Sequence, residues 1–73
     1  GYLMVDRMSI TDIAKMLERK YDVTIYINSN VFDDQRITAK FKNNESLSES
    51  MFILQQLMQN MQYKIEGNKV YIY

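Results

Sequence analysis

The sequence predicts an α+β domain with the element order β-α-β-β-α-β-β, and three observations predict it. Two stretches carry apolar residues at helical spacing directly behind a serine. Five shorter stretches read as strands, most of them alternating apolar and polar residues. A repeat spans the chain: Ser9-Ile10, Ala14 and Leu17 return 37 residues later as Ser46-Leu47, Met51 and Leu54, each set entered from a strand. A single repeat of this kind marks a duplicated small domain, two strand-helix-strand units sharing one core, and not a solenoid.

Taken in order, Leu3, Met4 and Val5 form the first strand. Ser9 caps a helix over about 10–20, with Asp12 in its first turn, and Ile10, Ile13, Ala14 and Leu17 form the buried stripe. Lys15, Glu18, Arg19 and Lys20 take the wet side, and the cations near the end suit the helix dipole. Residues 21–28 alternate, with Val23, Ile25 and Ile27 on one face and Thr24, Tyr26 and Asn28 on the other. Asn28-Ser29-Asn30 and Asp33-Asp34 are loop chemistry, and Val31 and Phe32 are expected to tuck that loop onto the core. Ile37, Ala39 and Phe41 then alternate with Thr38, Lys40 and Lys42 as a third strand.

Ser46 followed by Glu49 is a capping box, in which hydroxyl and carboxylate each satisfy an orphan backbone N–H. The helix behind it is expected to run to about Asn60, burying Leu47, Met51, Leu54 and Leu57 and showing Ser48, Gln55, Gln56 and Gln59 to water. Gly67-Asn68 is a two-residue turn between two last strands. With those two residues as the loop, Glu66 faces Lys69, Ile65 faces Val70, Lys64 faces Tyr71 and Tyr63 faces Ile72. Every apolar pair then shares one face, with a Glu66/Lys69 ion pair expected on the other, and a slip of one residue would scramble it.

Composition narrows function more by absence than by presence. The 73 residues are 47% hydrophobic and 25% charged, which suits one small folded domain. Scaling by size predicts roughly 4,700 Å² of folded surface, with about 60% of the unfolded surface buried. Nine basic residues balance nine acidic ones, so no net field draws nucleic acid or an anionic membrane. There is no Cys and no His, which removes disulfides, thiol nucleophiles, the usual zinc sites and imidazole base catalysis. No apolar run reaches the ~18 residues of a membrane span. The start at Gly1 is read as a tag scar or as the mark of an excised domain of a longer protein.

Asp22, Asp33 and Asp34 lack the ordered oxygen spacing and turn glycine of a calcium loop and are read as solvated loop residues. The methionines Met51, Met58 and Met61 lie on the core stripe of the second helix, where gap filling is their expected use. An RNA module of this topology would carry a basic-Gly-aromatic third strand, and Ile37-Thr38-Ala39-Lys40-Phe41 is not one. Tyr26, Tyr71 and Tyr73 fall on strand positions facing away from the core, and tyrosine is enriched at interfaces. Those three, with Gln56 on the polar helix face, are the candidate partner-binding residues. The terminal strand, if it lies at a sheet edge, would accept a partner strand covered by Tyr71 and Tyr73. No catalytic, metal or cofactor set can be assembled.

Three runs carry a family resemblance. They are Leu17-Glu18-Arg19-Lys20-Tyr21-Asp22-Val23-Thr24-Ile25, then Arg36-Ile37-Thr38-Ala39-Lys40-Phe41 with Glu45-Ser46-Leu47, and finally Tyr63-Lys64-Ile65-Glu66-Gly67-Asn68-Lys69-Val70-Tyr71-Ile72. Together they resemble the C-terminal domain of FecR-type anti-sigma factors of the Bacteroidetes kind, over nearly the whole chain. That family is in turn similar to the short N-terminal signalling domain of secretins and TonB-dependent receptors. The resemblance implies two helices held between a two-stranded and a three-stranded sheet. It implies a non-catalytic, cofactor-free module in the periplasm, carried by a membrane-anchored parent. Its expected partner is the periplasmic signalling domain of a TonB-dependent receptor; a sigma factor would be reached only through a cytoplasmic part absent from this chain. The alternatives are the receptor's own signalling domain, which shares the fold, and a nucleic-acid module.

Overall fold

The computed structural model describes residues 1–73 as five strands and two helices in the predicted order. Strand β1 (Tyr2–Met8) leads into helix α1 (Ile10–Tyr21), followed by β2 (Thr24–Ile27) and β3 (Ile37–Lys42). Helix α2 (Leu47–Leu57) and the hairpin β4 (Tyr63–Glu66) and β5 (Lys69–Ile72) complete the chain. β1 and β3 form an antiparallel two-stranded sheet. The other sheet has the order β2-β5-β4, with β5 parallel to β2 and antiparallel to β4.

Each helix packs on one strand from each sheet: α1 on β1 and β2, α2 on β3 and β4. The helices therefore lie between the sheets. One core gathers Val5, Ile13, Leu17, Phe41, Leu54 and Val70, at least one residue from every layer. The accessible surface is 4773 Å², in line with the size expectation.

Local chemistry explains both helix starts. The Ser9 hydroxyl accepts from the Asp12 N–H at 3.1 Å. At α2 the capping box is complete: Ser46 Oγ accepts from the Glu49 N–H at 3.1 Å, and Glu49 Oε1 accepts from the Ser46 N–H at 2.9 Å. The hairpin register is the one derived from facing positions, Tyr63 with Ile72 through Glu66 with Lys69, and Gly67 takes the positive φ of 58° that its turn requires.

Several expectations are corrected. Helix α2 stops at Leu57, three residues short of Asn60. Met58 is extended (φ −113°, ψ 133°) and Asn60 is left-handed (φ 61°), a turn that buries Met58 and Met61 together. Leu57 consequently leaves the core and is 50% exposed, with Met58 in its place. Gln55, expected in water, is half-buried and donates its side-chain amide to the Met61 carbonyl at 3.2 Å, holding that turn. Strand β2 starts at Thr24 because Tyr21 still belongs to α1 and Asp22 caps it in the left-handed conformation (φ 54°). Phe32 is buried as expected, whereas Val31 is 65% exposed, so of the two Phe32 alone anchors the loop. Glu18 is not simply a solvated residue: its Oε2 accepts from the Ile25 N–H at 2.8 Å.

Strand β1 is longer than its apolar stretch. Between Val5 and Met8 it bulges against β3, with Arg7 at φ 53°, its N–H given to Thr38 Oγ1 at 3.2 Å. The polar pair Asp6-Arg7 hid this continuation from the alternation pattern.

Candidate interaction surface

The outward face of the three-stranded sheet follows from the period of two. Val70 and Ile72 of β5 point into the core, so Lys69 and Tyr71 point out, and Tyr73 follows the same alternation. The parallel register sets Tyr26 of β2 beside Tyr71, and the antiparallel one sets Lys64 of β4 on its other side. The Tyr26 and Tyr71 rings are stacked, with centroids 5.3 Å apart and planes 15° apart. Tyr26 remains 42% exposed and Tyr73 53%. On the same face Glu66 forms its ion pair with Lys64 at 3.4 Å, not with Lys69 as the facing positions suggest. The result is a row of aromatic area with a charged border, suited to contact with a protein surface.

Of the four candidate residues, the fold brings the three tyrosines to this one face. Gln56 is exposed on α2, which packs against the inner side of the sheets, and does not join them. The expectation of strand addition at the terminal strand is overturned: β5 is the central strand, paired on both sides, and has no free rim. The rims belong to β2 and β4.

Helix α2 carries features that the sequence reading passed over. Phe52 lies on the helix face of Ser48, Gln55 and Gln56, and it is 54% exposed. An aromatic residue among amides at that spacing was the available signal. Beside it a groove of about 470 Å³ is lined by Glu45, Ser48, Glu49, Phe52, Ile53 and Tyr63. Two carboxylates stand in it with different commitments. Glu49 is held in the capping box, and the Ser46 backbone N–H, then the Ser46 hydroxyl and the nearby Lys42 charge, lower its pKa. Glu45 gives its backbone carbonyl to the Tyr21 hydroxyl at 2.8 Å, while its Oε2 is shielded from solvent with no hydrogen-bond donor. Tyr21 also meets the fully buried Ser50 Oγ at 2.7 Å; with the Tyr21 proton on Glu45, Ser50 supplies its own to Tyr21.

Nowhere do three or more His, Cys, Asp or Glu side chains gather to hold a metal ion, and no helix is long and apolar enough to cross a membrane.

Topology and surface together define a class: a small α+β domain of two strand-helix units, with its two helices enclosed by two small sheets. Within that class the chain belongs to the FecR C-terminal family, whose model matches residues 2–72. Two crystal structures of a protein classed as an anti-sigma factor from Parabacteroides distasonis ATCC 8503, at 1.65 and 2.50 Å resolution, share the fold. Each aligns with a TM-score of 0.83 and 27% identity over 100% of this chain. The chain spans 34% and 33% of those chains, about a third of their length. None of the curated proteins matches.

Proposed function

We propose that this chain is a non-catalytic periplasmic interaction module of a membrane-anchored anti-sigma factor. In this reading the 73 residues are one domain of a longer protein. The domain receives a signal from the periplasmic signalling domain of a TonB-dependent outer-membrane receptor, and the parent relays it to an extracytoplasmic-function sigma factor. The observation that carries the reading is the family match over residues 2–72, supported by the fold shared with the Parabacteroides protein. Zero net charge and the absence of His and Cys agree with a protein partner over a polyanion or a catalysed reaction.

The contact surface in this reading is the outward tyrosine face, Tyr26, Tyr71 and Tyr73, with Gln56 as a separate contact on α2. Stacking holds the Tyr26 and Tyr71 rings before a partner arrives, which lowers the ordering cost of binding. The test is a calorimetric titration with the signalling domain of a TonB-dependent outer-membrane receptor from the same organism. Tyr71→Ala is expected to weaken binding by about tenfold or more, in the range of an aromatic anchor, while the variant remains folded by circular dichroism. Equal affinity of Tyr71→Ala, Tyr73→Ala and the unaltered chain would move the contact off this face, and no binding at all would reject the receptor as partner.

A further inference from the structure

The three-stranded sheet has two rims, and the fold treats them differently. On β2, the outward amide of Ile25 is occupied by the Glu18 carboxylate at 2.8 Å, so an approaching strand would have to displace it. On β4 the ladder has a definite phase. Gln62 and Tyr73 exchange both backbone hydrogen bonds, at 2.8 and 2.9 Å, so Lys64 and Glu66 turn their backbone groups to β5. Tyr63 and Ile65 then turn their N–H and C=O groups outward, where no group of the fold takes them. An open rim of this kind is a template for another strand.

The side chains beneath that rim complete a site. The groove between α2 and β4 offers Phe52, Ile53 and Tyr63 as an apolar wall, and Glu45 supplies the carboxylate oxygen without a donor. Glu49 is already engaged by Ser46, which leaves Glu45 as the free acceptor. Residues of an added strand alternate in direction, so one inward side chain can lie on Phe52 and another, two positions along, can reach Glu45. The carboxylate calls for a cation, which selects Lys or Arg at that second position.

We infer that β4 takes up an extended segment of a partner protein as a fourth strand, with an apolar side chain on Phe52 and a basic side chain at Glu45. The inference rests on the proposed role as a protein-interaction module and names where and how the partner engages. A second copy of this chain fits less well. In a symmetric β4 to β4 pairing, the charged residues of the strand, Lys64 and Glu66, point to the outer face, and no cation enters the groove. A foreign strand would also extend the outward row of Tyr26, Tyr71 and Lys64.

Amide exchange on the isotopically labelled 73-residue chain tests this with two probes: the same receptor signalling domain as above, and the capped peptide Thr-Val-Thr-Lys-Thr-Val-Thr. Binding is expected to slow exchange of the Tyr63 and Ile65 amides by about tenfold or more while leaving Ile25 unchanged. Ile65→Pro removes an outward N–H and no β4–β5 bond, and should weaken both probes; Phe52→Ala, altering an exposed residue, should do the same without affecting the fold. Glu45→Gln should weaken the lysine peptide and leave nearly unchanged a version with Thr in place of its Lys. Binding without protection of Tyr63 and Ile65 overturns the rim assignment while sparing the proposed function. Peptide capture at the rim without receptor-domain binding keeps the site and overturns the receptor as partner. Protection that rises with protein concentration alone gives the rim to a second copy and overturns the inference, and failure of both probes overturns it together with the proposed partner.

Discussion

The two halves of the molecule are built on one plan and finish it differently. Glu18 of α1 and Gln55 of α2 occupy equivalent places in the repeat. Glu18 reaches across to the Ile25 amide and occupies one outward donor on the rim of β2. Gln55 turns instead to the Met61 carbonyl and stabilises the turn that ends α2. Within the three-stranded sheet, the β2 rim thereby has an amide already taken, and the β4 rim stays open beside a groove. One polar side chain, carboxylate or amide, decides which backbone group is satisfied. Strand β5, the element without a counterpart in the first half, lies between the equivalent strands β2 and β4.

The core is where the second half is most easily broken. Leu54 is fully buried and Leu57, one turn on, is half in water. Leu54→Ala should cost about 2–5 kcal/mol, and Leu57→Ala about 0.5 kcal/mol or less. Urea melts of the two variants check this, and similar midpoints would mean that α2 is rotated from its described position. The join between the halves should come next. Tyr21→Phe keeps the ring and removes the hydroxyl, leaving the Ser50 hydroxyl and the Glu45 carbonyl without that partner, at a cost of about 1–3 kcal/mol. A cost near zero in the same assay would show the helices to be held by apolar contact alone.

The caps give the smallest and sharpest contrast. Ser46→Ala should cost about 1 kcal/mol, as one hydroxyl cap does. Only the second helix has the reciprocal carboxylate, and this adds a pH dependence. The Glu49 pKa is lowered in the folded state by its bonds to Ser46, so its contribution is full above the unfolded carboxylate pKa and fades as pH falls through the folded value. Thermal melts across the acid range should therefore lose part of their pH dependence in Glu49→Gln. An identical pH profile for that variant and the unaltered chain would remove the carboxylate from the cap.

How far each feature was legible in the sequence follows from the range of the interaction behind it. Ser9, Ser46 and Glu49 act within one turn, so both helix starts could be read directly. The hairpin register was equally legible, because a two-residue turn leaves one pairing that keeps the apolar residues together. The tyrosine face could be read as three outward residues, but the stacking of Tyr26 on Tyr71 required the parallel pairing of strands more than forty residues apart. The end of α2 was missed because Leu57 and Met58 are both apolar and compete for one core position. The turn at Asn60 and the Gln55 bond settle that competition.

Alternation, capping and the internal repeat alone determined that the chain is a duplicated α+β domain, and which face of most elements is buried. They act through neighbours in the chain, and their energies are local. Only the tertiary structure decided that β1 joins β3 while β5 enters between β2 and β4, and with that which rim stays open. Each strand offers the same backbone donors and acceptors whatever its sequence. Their partners are therefore chosen by how the two helices and the three buried strand faces fill one core together.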